Sequence, residues 1–185
     1  MGKISAETQS KFSVVPIHHF PELINQTIKL INEEWPRSIG ARLHSLTASK
    51  DSLPTSLVLI NLSKNKSDNN TNDPTVLAHV KLTPIPALPY ACFIESVVVW
   101  KSLRGQGIGK YLMIEAEKYC KASLRIHEIY LSTTDKEDFY QKLGYESCEP
   151  VSIFGGPCNF PFRPAVTKKK YMKKVIVEEQ PDEKQ

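Results

Sequence analysis

The sequence predicts an α/β chain: one domain with a central seven-stranded mixed sheet and four helices. Three observations carry that expectation. Runs of β-branched and aromatic residues recur at strand length, apolar residues recur at helical spacing between them, and a glycine-studded turn joins one strand directly to a helix. A chain of 185 residues suits one domain with a sizeable core.

The elements follow in chain order. Residues 1–11 read as a flexible start, and the apolar run over 12–17 as a first strand. Pro21 sits where a helix can begin without its N–H, and Leu23, Ile24, Thr27, Ile28, Leu30 and Ile31 give that helix an apolar face. It ends near Trp35, because the residue before Pro36 is pushed out of the helical region. A second helix is expected between this one and the second strand. Residues 56–62 form a second strand, the polar Asn/Asp-rich stretch 64–73 a flexible hairpin tip, and 75–82 a third strand. Pro84, Pro86 and Pro89 stiffen the connection to a fourth strand over 90–99.

A long helix to about residue 123 comes next, then a fifth strand at 129–133, a short helix around Tyr140 and a sixth strand over 145–154. Residues 155–165 carry Gly155, Gly156, Pro157, Pro161 and Pro164 and read as a long loop. Residues 167–175 close the sheet as an edge strand, where lysines discourage pairing with another chain. The domain is expected to span 12–177, with 178–185 a disordered acidic tail.

Charge is unevenly placed. The tail holds four acids and Lys184, a charge of −3, so the remaining residues carry about +7 of the total of +4. A basic body favours anionic ligands. No nucleic-acid motif accompanies it, and no apolar run is long enough to cross a bilayer. Cys92, Cys120, Cys148 and Cys158 lack metal-site spacing, so they are expected to be reduced thiols in a cytoplasmic protein, with no metal ligands and no membrane partner.

The turn Arg104-Gly105-Gln106-Gly107-Ile108-Gly109-Lys110 carries the chemistry. The first N–H groups of a helix lack intrahelical partners and sit at the positive end of its dipole, and glycines let the backbone approach a phosphate. The spacing excludes a P-loop, since Tyr111 follows Gly109-Lys110 where Ser or Thr is needed, and it excludes G-x-G-x-x-G. The pattern R-x-x-G-x-G, with Asp138-Phe139-Tyr140-Gln141-Lys142-Leu143-Gly144-Tyr145 downstream of a strand, resembles the GNAT N-acetyltransferase superfamily.

That resemblance implies an acetyl-CoA-dependent N-acetyltransferase, with the likeness covering roughly residues 12–177. The fourth and fifth strands would splay, and the backbone of Val97, Val98 and Val99 would pair with the pantetheine arm. Arg104, Gly105, Gln106, Gly107, Ile108, Gly109 and Lys110 would hold the pyrophosphate, and Phe139 would help close the coenzyme site. Tyr140 stands where a tyrosine protonates the departing thiolate, and Glu95 is the nearest acidic candidate for a base, with His79 and His127 weaker ones. The loop between the first two helices forms one acceptor wall in that family. Here it would present Trp35, Arg37, Ser38, Arg42 and His44.

Arginines that grip carboxylates suit an acidic acceptor. The segments Asn-Glu-Glu-Trp-Pro-Arg-Ser and Ala-Arg-Leu-His-Ser-Leu resemble the branch that acetylates the acidic N-terminus of processed actin. The expected partner is therefore an acidic N-terminal peptide, actin above all, met by a monomer. Another amine acceptor, such as a lysine side chain or a polyamine, and a non-catalytic coenzyme A-binding module are the alternatives.

Overall fold

The computed structural model describes residues 11–62, 75–154 and 169–176. The expected hairpin tip, the long loop over 155–165 and both termini fall wholly or mostly outside the described residues.

Seven strands form one sheet: β1 Phe12–Pro16, β2 Thr55–Asn61, β3 Val76–Pro84, β4 Ala91–Val99, β5 Glu128–Thr133, β6 Glu146–Ser147 and β7 Lys170–Val175. Their order is β1-β2-β3-β4-β5-β7-β6. Among the described residues only β4 and β5 pair in parallel, joined through a helical crossover; the other neighbours are antiparallel. Four α-helices accompany the sheet: α1 Ile24–Glu34, α2 Ile39–Thr47, α3 Ile108–Ala122 and α4 Glu137–Gln141. The mixed sheet and the helix number agree with the sequence.

Two apolar layers sandwich the sheet. On one face, Leu112, Met113, Ala116 and Cys120 of α3 pack against Leu57, Val80, Ile94 and Leu131. On the other, Ile28, Leu30 and Ile31 of α1 and Leu46 of α2 cover Val58, Val76 and Val98. All of these side chains are buried, and each contributes roughly 1.5–3 kcal/mol through loss of contact with water, less for Ala.

Two expectations at the far edge are corrected. The sixth strand shrinks to Glu146–Ser147; beyond it Val151 and Ile153 pack against Phe93 and Tyr130 without pairing as strand. β7 is not the edge, since it lies between β5 and β6. Its lysines are tolerated inside the sheet because they find acids on the helices: Lys174 Nζ is 2.6 Å from Glu117 on α3, and Lys170 pairs with Glu137 on α4.

One irregularity in β4 sets the geometry of everything near it. Between the pairs His79↔Val98 and Lys81↔Glu95, β3 advances two residues while β4 advances three. The extra residue makes a β-bulge, and Ser96 adopts a left-handed φ of 53° there. The bulge shifts the alternation of side chains. Cys92 and Ile94 face α3, and after the bulge so do Val97 and Val99, while Val98 turns to the α1 side. Buried His79 fastens the bulge, its Nδ1 lying 3.1 Å from the Ser96 carbonyl.

Candidate active site

Pairing between β4 and β5 runs from Ala91↔Glu128 to Ile94↔Leu131 and then stops. From Glu95 onward β4 has no strand partner on that side among the described residues. The two strands part at the bulge, as the sequence resemblance implied. The opening leads into a cleft of about 2270 Å³, lined by Glu95, Val97, Val98, Val99, Phe139 and Tyr140 together with both neighbouring loops. A pocket for one small ligand measures roughly 300–1,000 Å³, so this cleft has room for two.

At one end lies the glycine turn. Gly105 and Gly107 take φ of 79° and 84°, the left-handed region where side chains are strained, and Gly107 is the residue from which α3 starts. Tyr111 N–H makes the first helical bond, to the Gly107 carbonyl, so the N–H groups of Ile108, Gly109 and Lys110 precede the helical ladder. A Cβ on Gly109 would lie 3.6 Å from Val99 Cγ2 and 3.7 Å from Phe139 Cζ, which places β4, α3 and α4 in contact at this point. Gly105, Gly107, Ile108, Gly109, Lys110 and Arg104 all line the cleft. Gln106 does not; its amide turns back to donate to the Ser102 carbonyl at 3.4 Å.

Arg104 has a double engagement. Its Nε donates to the Val99 carbonyl at 3.1 Å and its Nη2 to Glu34 Oε2 at 2.7 Å. The second bond ties the glycine turn to the C-terminal end of α1, and the guanidinium holds the Glu34 carboxyl below its ordinary value.

Tyr140 lies at the mouth of β5, held by T-shaped contacts to Phe139 and Tyr145 with ring centroids at 5.0 and 5.8 Å. Burial, reinforced by the charge of Asp135, pushes its phenol up to about 12. It therefore carries its proton throughout the neutral range. Glu95 faces the cleft at the bulge, paired in register with Lys81.

The acceptor wall departs from expectation in part. Trp35 and Arg37 line the cleft. Arg42, Ser38 and His44 do not reach its lining. Arg42 is buried, with Nε donating to Asn32 Oδ1 at 2.8 Å and Nη2 to the Trp35 carbonyl. It closes the end of α1 instead of facing a ligand. Ser38 caps α2, its Oγ accepting from Ala41 N–H at 3.3 Å. His44 is exposed on α2 outside the cleft. Asn32 completes the lock through a pair of bonds with the Arg37 backbone at 2.9 and 3.2 Å. Sequence reading missed Asn32, whose role appears only once the chain folds back over it.

His79, a secondary candidate for the base, is wholly enclosed below the bulge, away from the cleft lining. Burial pulls its imidazole down to about 4 from an ordinary 6.5, so it is neutral. The role left to it is structural. Cationic side chains dominate the cleft's charged lining: Arg37, Arg104, Lys110, Lys136, Lys142 and Lys169, against Glu34, Glu95 and Asp135.

The profile of the Acetyltransferase (GNAT) family matches residues 25–145, the segment from α1 through the parted strands to the end of the tyrosine-bearing turn. The chain belongs to the GNAT acetyltransferase family. This GNAT chain is 38% identical over 131 residues to mouse N-alpha-acetyltransferase 80, a match covering 71% of this chain and 40% of that protein. Solved structures share the fold at lower identity. Spermidine N-acetyltransferase from Vibrio cholerae, in complex with CoA and spermine, superposes with a TM-score of 0.63 at 16% identity over 90% of this chain and 96% of that one. Aminoglycoside 6'-acetyltransferase type Ii gives 0.62 at 19% identity over 91% and 99%. Among the described residues, no helix is long and apolar enough to cross a membrane.

Proposed function

We propose that this chain transfers the acetyl group of acetyl-coenzyme A to the α-amine of an acidic protein N-terminus, with processed actin the acceptor that best fits, as in the actin acetyltransferase NatH. The observation that carries the reading is the junction of the parted β4 edge with the left-handed glycine turn, in a cleft whose charged lining is mainly cationic.

The residues present suit coenzyme A. Free N–H groups at the start of α3 and the side chains of Arg104 and Lys110 offer donors and positive charge to a diphosphate. Val97 to Val99 lie on a strand edge that β5 leaves uncovered, with the Val99 carbonyl accepting from Arg104 Nε, and the edge offers its remaining backbone groups to an amide-bearing arm. Bound there, acetyl-coenzyme A supplies an activated acyl group as its thioester. Tyr140 then serves as the proton donor to the leaving sulfur, since its phenol stays protonated in the neutral range. A peptide α-amine has an ordinary pKa near 8, so roughly a tenth is already neutral at physiological pH and a weak base suffices. Glu95, facing the cleft beside the bulge, takes that role directly or through water.

Acceptor selection falls to Trp35 and Arg37. The 38% identity to mouse N-alpha-acetyltransferase 80 supports an N-terminal amine as acceptor. An acidic chain end is favoured by the lining cations, whereas a polycation meets repulsion from them. The protein is proposed to act as a cytoplasmic monomer.

The test is a rate comparison with acetyl-coenzyme A. An Asp-Asp-Asp-initiated peptide is expected to turn over much faster than Ser- or Met-initiated peptides, and faster than spermine or an internal lysine. Equal rates across the peptides remove the acidic-terminus reading. Preferential acetylation of spermine transfers the chain to a different acceptor class.

A further inference from the structure

A second convergence of polar side chains lies away from the cleft, where the chain enters and leaves the α1–α2 hairpin. His18 and His19 sit in the 3₁₀ turn Ile17–His19 that follows β1. Asp51 sits in the connection between α2 and β2, 33 residues after His18. The Nε2 atoms of both imidazoles lie 3.0 Å from the same Asp51 Oδ1. All three atoms fall within 4.8 Å of one another.

The cluster has a supporting layer. His18 Nδ1 is 2.9 Å from Ser49 Oγ, and Ser49, itself buried, accepts from the Ser56 N–H at 2.9 Å. When Nδ1 donates its proton to Ser49 Oγ, the Nε2 lone pair faces outward toward Asp51. A carboxylate or hydroxyl behind a histidine, fixing its tautomer and aim, is the usual arrangement behind a metal-ligating imidazole.

Both imidazole nitrogens lie within hydrogen-bond reach of one carboxylate oxygen, and a neutral ring satisfies it when its proton is on Nε2. With the His18 proton on Nδ1, the Nε2 lone pair instead meets the Asp51 oxygen with no proton between them, beside a second ring 4.3 Å away at its centroid. One divalent ion satisfies all three atoms at once. Zinc binds His nitrogen and Asp oxygen at about 2.0–2.2 Å in tetrahedral geometry, which sets ligand atoms roughly 3.3 Å apart. The two nitrogen–oxygen separations of 3.0 Å need a few tenths of an ångström of expansion, and the two nitrogens, within 4.8 Å of each other, adjust by ring rotation. Asp51 and His19 are exposed enough to supply it, at 79% and 51% of their side-chain surface.

We propose that His18, His19 and Asp51 form a binding site for a zinc-class divalent cation, with water completing the shell. None of the three lines the cleft, so the ion acts on structure and not on the transfer reaction. It joins the segment entering α1 to the segment leaving α2, and so closes the base of the hairpin whose tip carries Trp35 and Arg37. The sequence alone gave no metal expectation, because the ligands come from segments far apart in the chain.

The experiment uses the untagged, chelator-stripped chain titrated with zinc chloride by calorimetry, with cobalt(II) as a spectroscopic substitute. One equivalent is expected to bind, to raise the melting temperature, and to give cobalt d–d absorption without a thiolate charge-transfer band. His19→Gln and Asp51→Asn are each expected to abolish the binding and the rise in melting temperature, while the metal-free protein melts near the parent temperature. Absence of zinc binding by the parent chain overturns the proposal. So does binding that survives both substitutions, or a thiolate band that assigns the metal to cysteine.

Discussion

The two flanks of the cleft are built on different principles. The β4–α3 flank offers mostly backbone: the N–H groups after Gly107 and the edge of Glu95 to Val99 that no strand covers among the described residues. Its shape is imposed by glycines, a bulge and buried packing, and only Arg104 and Lys110 add exposed side chains to it. The α1–α2 flank offers side chains, Trp35 and Arg37, standing on a loop that is fastened by Asn32, Arg42 and Ser38. A backbone surface of the first kind reads a group common to every reaction of the family. A side-chain surface of the second kind can be changed residue by residue, and the proposed function assigns selectivity for the acceptor to it. Arg104, bonded to Val99 on one flank and Glu34 on the other, is where the two meet.

This division can be broken at several points. The largest effect is expected from Tyr140→Phe, which removes the proton donor: kcat should fall roughly 10²–10⁴-fold with KM for peptide nearly unchanged. Full retained activity reassigns the acid.

The next concerns the support beneath β4. Folded His79 titrates at about 4, against 6.5 when exposed. Between those values the unfolded chain binds a proton that the folded chain refuses. The stability His79 confers by staying neutral is therefore complete above pH 6.5 and is lost as pH falls toward 4, by up to about 3 kcal/mol in total. Urea unfolding across that window measures it. His79→Gln should flatten the profile, and an equally steep profile in the variant would assign the acid sensitivity to other groups.

Arg42→Ala takes away the guanidinium donor to the Trp35 carbonyl and one of two donors to Asn32 Oδ1, and is expected to cost about 1–3 kcal/mol of stability. Because Arg42 acts by holding the wall, KM should rise for acidic and neutral peptides alike. A rise confined to the acidic peptide would place Arg42 in direct contact with substrate. On the other flank, Gly107→Val forces a β-branched side chain into φ of 84°, with a strain of about 1–2 kcal/mol. Calorimetry should show roughly tenfold weaker binding of coenzyme A. The smallest expected change is a several-fold increase in KM for an Asp-Asp-Asp peptide in Arg37→Ala, absent for a Ser-initiated one; equal changes for both would remove Arg37 from the selection of charge.

The contrast between flanks also explains what could be read without coordinates. The glycine turn was legible because positive φ and an open helix start demand particular residues at fixed spacing, and Gly105 and Gly107 sit where that demand predicts. The first five strands were legible as apolar runs, with ends displaced by a residue or two, whereas the sixth was read over 145–154 and pairs only at Glu146–Ser147. Arg42 was not, because its burial depends on an acceptor seven residues back and another ten residues back, which become neighbours only after Pro36 turns the chain. The interior position of β7 was hidden for a similar reason. A lysine-rich strand resembles an edge until Glu117 and Glu137 arrive from elsewhere to pair with it. Ser96 gave no warning of its left-handed conformation, since nothing local requires it; the register of β3 does.

That single supernumerary residue in β4 has an evolutionary corollary. Because Glu95 and Ser96 together fill one step of the side-chain alternation, removing either would leave Val97, Val98 and Val99 facing as they do but would erase the bulge at the point where β4 leaves β5. Substitutions along this strand can accumulate one by one. Its length cannot drift, and a family that varies freely in acceptor should keep the count of residues here fixed.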